Sequence, residues 1–141
     1  MNIKIATTEE EKQQVYTVRK TVFVDEQNVP VEEEIDGHEA SSIHFLCQVG
    51  EQAIGAGRLR FESDYGKLER ICVLKSFRGQ SYGKQIIQSI ENEIKNQNFY
   101  IAKLGAQTHA IAFYENLGYE IVSDVFMDAG IPHVMMEKSL S

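Results

Sequence analysis

The stretch from Gly66 to Lys95, GKLERICVLKSFRGQSYGKQIIQSIENEIK, changes its apolar period halfway along. From Lys67 to Leu74 it sets Leu68, Ile71 and Val73 among charged residues and reads as a strand. From about Ser81 onward, Tyr82, Ile86, Ile87, Ile90 and Ile94 fall on one face of a helix. Between the two lies Arg78-Gly79-Gln80-Ser81-Tyr82-Gly83-Lys84, a basic turn that feeds directly into the helix N-terminus. A helix start leaves backbone N–H groups without intrahelical partners and carries the positive end of the helix dipole. Such a point binds phosphate. Gly79 and Gly83 permit close approach of a ligand, and Arg78 and Lys84 add charge. Taken alone, these residues also allow a plain strand-to-helix connection. The spacing is not that of a Walker A loop, because three residues rather than four separate the two glycines. Gln85 also stands where a magnesium-binding Ser or Thr is needed, and G-x-G-x-x-G is absent.

Working outward, Asn2 to Ala6 reads as a strand, and Thr7 or Thr8 can cap a helix that begins in Glu9-Glu10-Glu11. That helix carries Val15, Val18, Val22 and Phe23 on its apolar side, with Arg19 among them. Regular structure breaks at Pro30, and the acidic segment Val31 to Ser42 reads as a solvated loop, as charge runs usually are. Ile43 to Gly50, Ala53 to Phe61 and the Lys67 strand form a meander. After the long helix come a strand from Phe99 to Ala106 and a short helix from about Thr108, which ends at Gly118. Two last strands, Tyr119 to Met127 and Pro132 to Lys138, flank a turn at Asp128-Ala129-Gly130-Ile131. The expected fold class is α/β (α+β): a mixed, mostly antiparallel sheet of about seven strands flanked by helices, in one domain spanning residues 1–141.

Composition narrows the function. A net charge of −7 and no basic stripe argue against nucleic acid. The lack of a long apolar run argues against a membrane span, and the N-terminus lacks a signal-peptide core. Cys47 and Cys72 read as reduced core thiols of a cytoplasmic protein, and the four scattered histidines indicate no metal site. Oligomeric state is open, a homodimer included.

VLKSFRGQSYGKQII resembles motif A of the GNAT superfamily, the Gcn5-related N-acetyltransferases, with pattern Q/R-x-x-G-x-G/A. Arg78 and Gly83 match it, and Ser81 replaces the central glycine. AQTHAIAFYENLGYE is similar to the second signature, N-x-x-A-x-x-x-Y-x-x-x-G-F, with Gln107 for Asn and Tyr119 for Phe. VRKTVFVDEQNVPVEEEID and DAGIPHVMMEK further resemble a bacterial subgroup of uncharacterised GNAT proteins. The resemblance spans nearly the whole chain. It implies acetyl-CoA as donor, with the pyrophosphate on Arg78, Gly79, Gln80, Ser81, Tyr82, Gly83 and Lys84. Serine at position 81 suits a helix N-cap. The resemblance also implies pantetheine paired along Ile71, Cys72 and Val73, and Gln107 beside the cofactor. The strand is expected to bulge near Cys72 and splay from its neighbour, with an N–H near Val73 as oxyanion donor.

A lysine-like amine, with pKa about 10.4, is protonated near neutral pH, so transfer needs a base, and an acid for the departing thiolate. Tyr114 matches the position of the family's tyrosine acid; its plainer role is packing a short helix. Glu69 is the candidate base, or else a surface partner of Arg70 or Lys67. Simple alternation puts Glu69 on a face with Ile71 and Val73, opposite Leu68, Arg70 and Cys72. Cys72 has no histidine placed to activate it and reads as inert. His109 reads as a capping or surface residue. Arg19, Glu26, Gln27 and His133 are expected on the acceptor side. The expected reaction is direct acetyl transfer to the primary amine of a small molecule in a ternary complex. The alternatives are a protein lysine or N-terminal amine as acceptor, or an acyl-CoA-binding sensor without turnover.

Overall fold

In the computed structural model, which describes residues 1–141, the first helix α1 (Glu9–Arg19) opens on Thr8. The Thr8 hydroxyl accepts from the Glu11 amide, and the Glu11 carboxylate accepts from the Thr8 amide, a reciprocal capping box. Beyond Arg19 the helix continues. It widens into a π-helical segment, Lys20–Glu26, before Pro30 and a four-residue helix α2 (Val31–Glu34). The sheet contains β1 (Asn2–Ile5), β2 (Ile43–Val49), β3 (Gln52–Glu62), β4 (Tyr65–Val73), β5 (Ile101–Gln107), β6 (Glu120–Ile121), β7 (Phe126–Asp128) and β8 (Ile131–Ser139). Its order is β1-β2-β3-β4-β5-β8-β6, with β7 paired to β8. Every pairing is antiparallel except β4 with β5. There are eight strands rather than seven, because the expected Tyr119–Met127 strand is interrupted. The Ser123 hydroxyl accepts the Met135 amide at 2.8 Å and takes the place of a ladder carbonyl there.

Helix α3 (Tyr82–Asn96) lays Ile86, Ile87, Ile90 and Ile94 onto one face of the sheet, and α1 covers the other face with Val15 and Val18. The approach of α3 depends on glycines in the strands beneath it. A Cβ at Gly57 would lie 2.8 Å from Ile90 Cδ1, and one at Gly66 would lie 2.6 Å from Ile94 Cγ1. The residue after β5 begins a turn of 3-10 helix, Thr108–Ala110, that leads into α4 (Ile111–Asn116).

The feature that positions the site is the divergence of β4 from β5. They pair in parallel only over Gly66–Leu68 and Ala102–Leu104. Beyond Leu68, β4 stays with β3 while β5 stays with β8, so a cleft opens between them. The cause is a bulge: Glu69 faces Arg58 and Cys72 faces Ala56, which sets one extra residue on β4. That residue is Arg70, at φ +56°. The bulge lies before Cys72 and corrects the alternation expected from sequence. Glu69 shares the α1 face with Cys72, whereas Ile71 and Val73 pack with Leu68 against the α3 cluster.

Candidate active site

The turn that leads into α3 has the local build its sequence suggests. Gly79 (φ +82°) reverses the chain, and α3 starts at Tyr82. The first helical bond is from the Gln85 amide to the Ser81 carbonyl at 3.1 Å; the amides of Gly79 through Lys84 have no acceptor. Those unpartnered amides, at the positive end of a 15-residue helix, fit a pyrophosphate. Ser81 departs from expectation. It occupies the left-handed region (φ +67°) and its hydroxyl caps nothing, so the backbone geometry favours glycine there. Replacing Ser81 with glycine is expected to raise the unfolding free energy by roughly 0.5–1 kcal/mol, read by urea denaturation.

Arg78 was expected on the cofactor and Glu26 on the acceptor, but the two hold each other. Both guanidinium nitrogens meet the Glu26 carboxylate at 2.7 Å, and the Arg78 Nε donates to the Val73 carbonyl at 2.9 Å. The Arg78 bond is also what holds the Glu26 carboxyl below its ordinary value. The Leu74 amide donates to Ile54 at 2.8 Å, so by antiparallel alternation the Val73 amide and carbonyl face the cleft. Cys72 differs: its backbone pairs with Ala56, and its side chain is buried with the α1 cluster. Neither its backbone nor its thiol therefore reaches the cleft. Burial pushes the thiol up to about 12, which removes it as a nucleophile.

The cleft is a cavity of about 320 Å³, within the range of small-ligand sites. Gln27, Glu69, Ile71, Gln107, Tyr114 and His133 line it. The Gln107 side chain donates to Gln27 Oε1 at 3.0 Å and accepts from His109 Nε2 at 2.7 Å. His109 thus orients an amide of the site and is more than a surface residue. Tyr114 reaches the wall from α4, and burial pushes its phenol up to about 12.

Two further expected site residues are corrected. Arg19 does not line the acceptor pocket. It is fully buried, with Glu39 at 2.8 Å and Glu34 at 3.0 Å. Glu69 lines the cavity but is unsuited to be a base. Burial acts to raise its carboxyl, but the Arg60 hydrogen bond and the Arg58 charge outweigh it and hold the group at about 2. Arg58 lies 2.7 Å away, Arg60 2.9 Å and Lys67 3.2 Å. The acidic segment read as a solvated loop supplies the rest of this network. Glu34 is buried, and Asp36 and Glu39 meet Arg58 at 2.8 and 2.9 Å. Arg70, lifted by its bulge, binds Glu34 at 2.9 Å. Sequence reasoning also missed the wall formed by Phe126 and Asp128. The register of β7 against β8 sets Phe126 opposite His133, and no local signal marks that pairing.

A family model described as acetyltransferase (GNAT) domain matches residues 6–140. The uncharacterised N-acetyltransferase YjcF of Bacillus subtilis (strain 168) is 47% identical over 139 residues, covering 98% of this chain and 99% of YjcF. The protein ElaA of Escherichia coli (strain K12) is 30% identical over 129 residues, 87% of this chain and 84% of ElaA. The crystal structure of Escherichia coli ElaA superposes with a TM-score of 0.88 at 23% identity, covering 99% of this chain and all of that one. A crystal structure of an aminoglycoside 6′-N-acetyltransferase complexed with coenzyme A has a TM-score of 0.79 at 18% identity, with coverage of 100% and 98%; that likeness is one of fold.

Proposed function

Because the chain belongs to the GNAT acetyltransferase domain family, we propose that it transfers the acetyl group of acetyl-CoA to a primary amine of a small molecule, by direct attack in a ternary complex. The observation that carries this reading is the cleft: an open-mouthed cavity of about 320 Å³ that begins where β4 leaves β5 and has Tyr114 on its wall. Its size suits a small acceptor. Acetyl-CoA supplies the activated acyl group. The free amides from Gly79 to Lys84 hold its pyrophosphate, and the cleft-facing edge of Val73 receives its pantetheine. The Val73 amide polarises the acetyl carbonyl, and the Tyr114 hydroxyl protonates the departing sulfur. Arg78 must release the Val73 carbonyl if pantetheine is to bond there. Its pairing with Glu26 is largely exposed, and exposed pairs contribute about 0–1 kcal/mol, so that release is cheap.

Two measurements test the reading. CoA is expected to raise the melting temperature, and Gly83→Asp is expected to abolish that shift. A Cβ at Gly83 meets Phe113 Cζ at 3.7 Å and Val73 Cγ2 at 3.9 Å, ordinary contacts, so the added carboxylate acts by repelling phosphate rather than by steric damage. A wild-type protein with no CoA shift sinks the cofactor assignment. Release of free CoA thiol with an amine present then distinguishes turnover from a sensor that only binds.

A further inference from the structure

With Glu69 neutralised by its cations, the proposed reaction lacks a base, and the cavity wall supplies another. We infer that His133 takes the proton from the acceptor ammonium, an assignment that rests on the acyl-transfer reading above. The ring is 9% exposed and lines the cavity from β8. Its Nδ1 lies 2.7 Å from the Ile131 carbonyl oxygen. A carbonyl only accepts, so Nδ1 carries the hydrogen and the neutral ring keeps its lone pair on Nε2. Nε2 has no partner within the protein, and it is not sealed off, since the one closed-off orphan side-chain atom is His44 Nδ1. The tautomer and the ring plane are both held. Phe126 stacks on the imidazole at 5.9 Å and 23°, and Gly105 leaves the opposite strand open beside it: a Cβ there would stand 4.0 Å from ring Cδ2. Gln107 lies directly across the ladder from His133, so the ring shares its face with the Gln27–Gln107–His109 chain.

The other titratable groups on the cavity are worse placed. Glu34 of α2 is buried under Arg19 and Arg70. On β4, Lys67 and Arg70 are cations, and Glu69 is tied to three cations. His109 is exposed and spends Nε2 on Gln107. Glu33 of α2 and Asp128 of β7 are exposed carboxylates. A carboxylate is a weaker base than an imidazole, so neither suits proton removal from an amine as well as His133 does. The proton balance closes without another reactant. Nε2 accepts one proton from R–NH3+ and passes it to solvent. The freed nitrogen bonds the acetyl carbon. As the C–S bond breaks, the Tyr114 hydroxyl gives its proton to sulfur and recovers one from the nitrogen. The net release is one proton for each amide formed.

The test combines kinetics with a readout that needs no turnover. Long-range 1H–15N correlation spectra of the free wild-type protein should show His133 as the Nδ1–H tautomer. A ring protonated on Nε2 when neutral overturns the assignment. Tyramine, spermidine and kanamycin serve as amine probes. With the best of them, wild-type kcat/KM should rise with pH through the His133 pKa measured by NMR and level off above it. His133→Asn keeps a donor for the Ile131 carbonyl but cannot titrate. It should lose about 100-fold in kcat, lose the acid limb of the profile, and keep the thermal shift with CoA. His133→Gln provides a second variant should the first fold poorly. An unchanged acid limb, or a loss confined to KM, assigns His133 to binding and overturns the base while the acyl-transfer reading stands. If wild-type protein releases no thiol with any of the three amines, the acyl-transfer reading for small amines falls and the base assignment falls with it.

Discussion

Tyr114→Phe is expected to lower turnover by about 100-fold or more while leaving the thermal shift with CoA intact. The hydroxyl hydrogen-bonds no protein group, so removing it leaves no partner orphaned, and the ring keeps its edge contacts with Phe113 and Tyr119. Burial raises the phenol to about 12, and the nearby Cys72 adds to the rise, so the hydroxyl is protonated throughout the working range. A phenol that weak does not release a free proton to a thiolate. It acts by passing its proton to sulfur while taking the one on the attacking nitrogen, so no tyrosinate accumulates. The variant therefore isolates proton transfer from binding. Thiol release at saturating acetyl-CoA measures it, and unchanged turnover removes Tyr114 from the chemistry.

The second large effect is on stability. Arg58 is 1% exposed and touches three carboxylates, Asp36, Glu39 and Glu69. Arg58→Ala leaves them crowded and uncompensated, and removing one partner of a buried pair costs about 3–5 kcal/mol. Urea unfolding should show that loss, and a variant as stable as wild type discards the network as a structural element. The same network sets the acid limit. Burial opposes ionisation of Glu39 and Glu69, but arginine hydrogen bonds and charge win and hold both at about 2, below the ordinary 4.5; Asp36 is lowered too. A carboxylate whose folded pKa is depressed stabilises the fold fully above its unfolded value and loses that contribution as pH falls through the folded one. Stability should therefore decline between about pH 4.5 and 2, and Arg58→Ala should make that decline shallower without removing it, because Arg19 still holds Glu39 and Arg60 still holds Glu69.

Local reading recovered the elements whose cause is local. The threonine cap of α1, read as Thr7 or Thr8 and found at Thr8, the α3 isoleucine face and the turn from Gly79 to Gly83 each follow from a few adjacent residues. Tyr114, Gln107 and His133 line the cleft. Errors fell where the partner is distant. Arg19 looked like a polar pocket residue because Glu34 and Glu39 lie 15 and 20 positions away. The acidic segment looked solvated for the same reason. Ser81 looked like a cap because the residue type was legible and its left-handed backbone was not.

The sequence by itself determined the order of most elements, the glycine-bearing turn into α3 and the family, because periodicity, helix starts and glycine spacing are properties of neighbouring residues. Tertiary structure alone decided the chemistry of the cleft. One extra residue at Arg70 reverses the parity of β4, turns Glu69 into a cluster of cations and parts β4 from β5. A bulge is set by how two strands register, and register is a property of the sheet rather than of either strand. In the cleft so opened, β7 sets Phe126 against the His133 ring, whose Nδ1 is held by the Ile131 carbonyl of the same strand and whose Nε2 has no partner within the protein.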